Sequence, residues 1–199
     1  MWWTACMHFS RPRLFPPGAV ALVAAGLLYP GTVYVSRAIV PPLAFVAASV
    51  ALIGLRLATL RSPMGRVWRV PLLSAATIIA ALAALDMTLA VKAYPAAVSL
   101  AAATVFGATL LHPPSLIERF ARLREPDLPP AAQSYCRKVT IVWTVWLIAN
   151  TIIAAVLSLP GHDEAWALWT GLVAYFFMAA LFAGEIVVRR FARGRVAKT

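Results

Sequence analysis

Polar side chains that could bind a ligand are concentrated in one stretch of this sequence, from His112 to Asn150, between long apolar runs. Ser115 and Glu118 have the spacing of a capping box, which bonds the first N–H groups of a helix. Four cations follow: Arg119, Arg122, Arg137 and Lys138. We expect these four charges to be able to converge on one acidic partner at a membrane surface.

The segment after Ser115 is predicted to form a short amphipathic helix lying in the membrane interface. Its apolar face would hold Leu116, Ile117, Phe120 and Leu123. Its polar face would hold Glu118, Arg119 and Arg122. Two interpretations are open, namely that the helix only anchors a loop, or that it is a site for a partner or a lipid head group. The prolines of REPDLPP cannot continue the helix and favour an extended return.

Arg137 and Lys138 stand where the next apolar run begins, beside Tyr135 and Cys136. Paired cations at such a position fix orientation and contact anionic lipid. The alternative is a site for a phosphate or a carboxylate. A nucleophilic role for Cys136 is not supported, because the sequence places no base beside it.

Two further polar residues lie within apolar runs. Asn150 falls near the middle of its run, where an amide usually links helices through hydrogen bonds; contact with a substrate is the alternative. Glu185 precedes Arg189 by four residues, the spacing of a helical ion pair. Because acids inside membranes are often functional, a site role for Glu185 is equally open.

Catalytic and metal-binding signatures are absent from the sequence. It contains no HExxH, no P-loop and no GxSxG motif. His112 has no second ligand at metal-binding spacing. We therefore expect no metal and no cofactor, and the sequence favours a protein that is not an enzyme.

The composition is that of a membrane protein. Hydrophobic residues make up 62% of the chain, against about 45–50% apolar residues in soluble domains, and the mean hydropathy is +0.81. The 18 basic and 7 acidic residues would suggest nucleic-acid binding in a soluble protein. Here the basic residues cluster between apolar runs, which indicates orientation in a bilayer instead.

The predicted fold class is an all-α integral membrane protein with a single domain of about six transmembrane helices. The spans are expected at about 18–35, 42–60, 70–91, 94–111, 139–159 and 165–188, with the central loop at 112–138. Each is near the ~20 residues that cross ~30 Å of hydrocarbon. The third and fourth spans form a hairpin turning near Lys92 and Tyr94, where Asp86 is expected to pair with Lys92.

Two stripes of small residues are predicted to pack helices closely. One consists of Ala76, Ala80, Ala84 and Thr88, and the other of Ser99, Ala103 and Gly107. The basic residues predict the orientation, because all but Arg37 and Lys92 fall on one side of the six-span arrangement. By the positive-inside rule, both termini and the central loop are cytoplasmic.

The runs HPPSLIERFARLREPDLPP, YCRKVTIVW and WALWTGLVAYFFMAALFAGEIVVRR resemble a family of bacterial inner-membrane proteins. That family is encoded with acyl carrier proteins, ketosynthases and dehydratases in gene clusters of the aryl polyene and xanthomonadin type. The resemblance implies a multi-pass protein of the bacterial inner membrane in a fatty-acid or polyketide-like pathway.

Two functions follow as expectations from this resemblance. In the first, the protein is a non-catalytic accessory that recruits acyl carrier protein or pathway enzymes to the cytoplasmic face, where acidic carriers would meet the basic loop. In the second, it transports or modifies a lipid-like product, and Asn150 and Glu185 line a path between helices. The first is preferred, because the sequence lacks the midplane charge cluster and broken helices typical of transporters.

Overall fold

The structure, a computed structural model, describes residues 28, 32–36, 39–59, 67–123 and 125–196, and beyond residue 186 it describes the backbone alone. The described residues contain helices and no strand. From residue 42 onward, the helices are α1 (Pro42–Thr59), α2 (Arg69–Leu85), α3 (Met87–Leu111), α4 (Leu116–Arg122), α5 (Pro130–Leu157), α6 (Asp163–Leu168) and α7 (Ala174–Val196). A π-helical turn, Trp169–Val173, joins α6 to α7.

Three helical segments are long and apolar enough to cross a membrane: Met87–Leu111, Pro130–Leu157 and Asp163–Ile186. The shortest has 24 residues, or about 36 Å at 1.5 Å per residue, against ~30 Å of hydrocarbon. The all-helical, membrane-protein prediction is thus confirmed at this level. Helices α1 and α2 are shorter apolar helices, and the predicted span 18–35 lies largely outside the described residues.

The turn of the predicted hairpin is at Asp86, not at Lys92 and Tyr94. The Asp86 carboxylate accepts hydrogen bonds from the N–H groups of Thr88 (2.8 Å) and Leu89 (3.1 Å), which begins α3 with an N-cap. Lys92 and Tyr94 have no property that ends a helix, so α3 continues through them. The prediction of an ion pair between Asp86 and Lys92 is therefore wrong.

Helix α3 lies at the centre and packs against both α2 and α5. The stripe of Ser99, Ala103 and Gly107 packs closely against a neighbouring helix, as predicted, and that helix is α5: Ala103 is buried, and a Cβ placed on Gly107 would lie 3.7 Å from Cγ2 of Thr144. The prediction that the other stripe packs helices closely is wrong. Ala80 and Ala84 are exposed, because α2 instead turns the neighbouring positions Ala75 and Ile79 into the core.

At the opposite end of the helix bundle from α4, three elements meet at Lys92. Pro95 has no N–H to donate within α3, and a proline inside a helix bends it. One turn away, the carbonyl oxygen of Lys92 accepts hydrogen bonds from Oγ of Ser158 and Nε1 of Trp166, each at 3.2 Å. The Lys92 ammonium pairs with Asp163. These contacts fix the end of α5 and the start of α6 against α3.

Candidate ligand groove

A groove of about 450 Å³ runs between α5 and α7 on the α4 side of the bundle. Most of its lining is apolar, and Trp143, Phe177 and Leu181 form much of the wall. Its volume lies within the ~300–1,000 Å³ range of small-molecule pockets. The groove therefore has the size and the apolar character of a ligand site.

Aromatic side chains separate α5 from α7. The ring centroids of Trp143 and Phe182 lie 4.7 Å apart, and those of Trp146 and Phe177 lie 5.4 Å apart. Both distances are typical of aromatic pairs. Rings of this size prevent the two helices from packing directly. At the edge of the groove, Gly184 leaves further space, since a Cβ there would meet no atom within 4 Å.

The polar groups of the groove are three residues that the sequence predicted as site residues, namely Tyr135, Lys138 and Glu185. Tyr135 and Lys138 lie one helical turn apart on α5, and Glu185 lies on α7. Among the described residues, no carboxylate lies within ion-pair distance of Lys138. An apolar groove that contains Lys138, a cation without a paired carboxylate among the described residues, is suited to an amphiphilic ligand.

The predicted limits of the central loop need correction. Helix α5 begins at Pro130, and the loop predicted at 112–138 ends at Pro129, whose backbone is extended. Proline is favoured in the first turn of a helix because it needs no N–H partner there. Tyr135 and Lys138 are consequently held on a helix, and their place in the groove depends on this extension.

Arg119 and Arg137 bind main-chain carbonyl groups at the end of α3 and in the turn that follows it. Nε of Arg119 donates to the carbonyl oxygen of Pro114 at 2.8 Å, and Nη2 donates to that of His112 at 3.0 Å. Nη1 of Arg137 donates to the carbonyl oxygen of Leu110 at 3.0 Å. These guanidinium groups therefore satisfy the carbonyl groups that end α3 and those of the turn that follows.

The predicted capping box is wrong in its hydrogen bonds, although Ser115 is the N-cap of α4. Oγ of Ser115 has no hydrogen-bond partner, and Glu118 pairs with Arg122 at 2.8 Å. Oγ1 of Thr109, from the last turn of α3, accepts from the N–H of Leu116 at 3.0 Å. The structure thus supplies the cap from another helix, which local spacing cannot reveal.

The faces of α4 also differ from the prediction. Glu118, expected on the polar face, is buried, and the charge of Arg122 compensates its carboxylate. Phe120 and Leu123, expected to share an apolar face with Leu116, are 46% and 72% exposed. Leu116 is buried against the bundle, as expected for the apolar face, so the burial of Glu118 is what departs from the prediction.

Asn150 lies in a separate hydrogen-bond network between helices. Its Nδ2 donates to Oγ of Ser99 at 2.9 Å, and its Oδ1 accepts from Nε1 of Trp169 at 3.0 Å. The network joins α3, α5 and the π-helical turn. Of the two interpretations of Asn150, the network therefore agrees with a link between helices. The π-helical turn was not predicted, although such turns are frequent at functional sites.

Sequence reasoning also missed a half-buried arginine. This residue, Arg56, lies inside α1. Its guanidinium is close enough to the phenol groups of Tyr94 and Tyr175 to interact electrostatically with both. An arginine four residues from the end of an apolar run was the available signal. Among the described residues, no group of three or more metal-ligating side chains occurs.

Of the predicted site residues, the groove therefore brings together Tyr135, Lys138 and Glu185. Ser115, Glu118, Arg119, Arg122 and Arg137 organise α4 and its flanking turns, and Asn150 lies in its own network. Comparisons of the chain with protein-family models, curated proteins and solved structures give no match.

Proposed function

We propose that the protein binds a lipid-like amphiphile in the groove between α5 and α7. The observation that carries the proposal is the distribution of polarity along the groove: apolar walls around Trp143 and Phe177, with Lys138 and Glu185 near one end. A ligand with an alkyl chain and a polar head matches both parts. The proposed role is to hold, carry or present the ligand.

The proposed setting is the bacterial inner membrane, with six spans and with both termini and the α4 side of the bundle in the cytoplasm. The basic residues support this orientation. Arg119, Arg122, Arg137 and Lys138 lie on the α4 side, whereas the charge of Lys92 at the opposite end is compensated by Asp163. The polar end of the groove would then face the cytoplasmic leaflet.

The resemblance to proteins of aryl polyene and xanthomonadin-type gene clusters suggests that the amphiphile is a lipid-like product or intermediate of such a pathway. Recruitment of acyl carrier protein or pathway enzymes is a second proposal, favoured by the net charge of +11. Its support is weaker, because the guanidinium groups of Arg119, Arg122 and Arg137 bind groups of the chain itself.

Photocrosslinking tests the proposed function. Membranes containing the full chain would be labelled with a phospholipid and with a fatty acid, each bearing a diazirine on its alkyl chain. We expect labelled peptides to be enriched around Trp143 and Leu181, relative to the exposed surface of α2 at Leu73 and Ile78. Equal labelling of the groove and of the α2 surface would contradict a binding site, since it would indicate ordinary contact with bulk lipid.

A further inference from the structure

The charges of the groove define what kind of head group it accepts. Lys138 is exposed at its polar end, and no described carboxylate lies within ion-pair distance. Glu185 lies in the same groove but has interactions of its own. Lys138 therefore leaves one positive charge for a ligand. An uncompensated ammonium beside an apolar wall attracts an anion.

We propose that the ligand is a single-chain, long-chain carboxylate whose head group binds Lys138 and whose alkyl chain lies against Trp143 and Phe177. This inference rests on the proposed function and specifies its ligand class.

One monoanionic group fits the available charge better than a phosphate does. A phosphate monoester carries a charge of about −1.5 to −2 at pH 7, more than the single positive charge of Lys138 can neutralise. The neighbouring arginine, Arg137, donates to the carbonyl oxygen of Leu110 instead. Lys138 alone can pair with one carboxylate.

The shape of the groove fits one chain. Its volume is about 450 Å³, and two of its wall residues, Trp143 and Phe177, pack against the rings of Phe182 and Trp146. A single alkyl chain can bury its surface against the aromatic wall, and burial of apolar groups contributes ~0.8 kcal/mol per methylene.

The test measures competition for the groove by four probes that share a sixteen-carbon chain: hexadecanoate, hexadecanol, hexadecyl phosphate and hexadecyltrimethylammonium. Each would compete with the diazirine fatty acid for crosslinking to the purified full chain in detergent micelles. We expect hexadecanoate to compete at concentrations about fivefold or more below those of hexadecanol, the ratio that ~1 kcal/mol of attraction by one lysine produces.

Two variants separate charge from shape. Lys138→Gln should remove the preference for hexadecanoate and leave competition by hexadecanol unchanged. Lys138→Arg should keep the preference. Because Lys138 is exposed at the mouth of the groove, both variants are expected to fold, and equal melting temperatures would verify this.

The outcomes distinguish this inference from the proposed function. Equal competition by hexadecanoate and hexadecanol, or a preference that survives in Lys138→Gln, would overturn the carboxylate assignment while leaving an amphiphile groove. Stronger competition by hexadecyl phosphate or by the ammonium probe would also overturn it. Failure of all four probes to compete would instead refute the proposed function itself.

Discussion

Asn150 shows at the level of a single residue what the sequence can and cannot predict. An amide inside an apolar run predicts a link between helices, because an unsatisfied amide in hydrocarbon is costly. Its partners, Ser99 and Trp169, depend on which helices meet, and they are 51 and 19 residues away. Glu118 shows the converse case, since an acid expected on the polar face is buried beside Arg122.

The Asn150 network predicts a loss of stability on substitution. Asn150→Leu removes both hydrogen bonds and should lower the free energy of unfolding by about 1–2 kcal/mol, the range for hydrogen bonds between membrane helices. Unfolding of the purified protein in an SDS titration measures this. Thr151→Val is the control, because the Thr151 hydroxyl bonds only within α5. If Asn150→Leu were as stable as Thr151→Val, the network would have no stabilising role.

At the scale of elements, the apolar helices were predictable, but several of their ends were not. Hydropathy predicts where an apolar helix lies, whereas caps and turns depend on particular side chains. Asp86 ends α2 and starts α3 because its carboxylate binds two N–H groups, a signal that was overlooked in favour of Lys92. The cap supplied to α4 by Thr109 is a tertiary contact, and only the packing of α4 against α3 reveals it.

The cap on α4 gives a prediction at this scale. Thr109→Val removes the hydroxyl that accepts the N–H of Leu116, which should destabilise α4 by ~1 kcal/mol, as the loss of a helix cap does. Cleavage by trypsin after Arg119 and Arg122 should become about fivefold faster.

The matched control is Thr77→Val, because the Thr77 hydroxyl donates only to the carbonyl oxygen of Leu73 within α2. Similar cleavage rates for the wild-type protein, the control and Thr109→Val would mean that Thr109 does not hold α4 in place.

For the whole molecule, the basic residues predict an orientation that reporter fusions can check. Helix α5 is long enough to cross the membrane, so Leu123 before it and His162 after it should lie on opposite sides. A cytoplasm-active reporter after Leu123 and a periplasm-active reporter after His162 should both give signal. Silence of both fusions would overturn the orientation.

The packing arrangement of the helices could be predicted less well than the fold class. Composition identifies a helical membrane protein, yet the groove arises because Trp143 and Trp146 on α5 meet Phe182 and Phe177 on α7 and hold the helices apart. Which aromatic residues face each other depends on helix rotation and on the π-helical turn before α7. Tyr135, Lys138 and Glu185 were therefore predictable as candidates but not as neighbours.

The most direct test of the groove is to fill it. Gly184 lines the groove, and a side chain there would enter open space, so Gly184→Phe should occupy the site without disturbing the fold. Gly54→Phe is the matched control, because Gly54 is an exposed glycine of α1 with equally open surroundings. Native mass spectrometry of the three proteins purified from membranes would measure the bound amphiphile. We predict that the wild-type protein and Gly54→Phe retain it and that Gly184→Phe loses it, whereas equal retention by both variants would contradict a ligand site between α5 and α7.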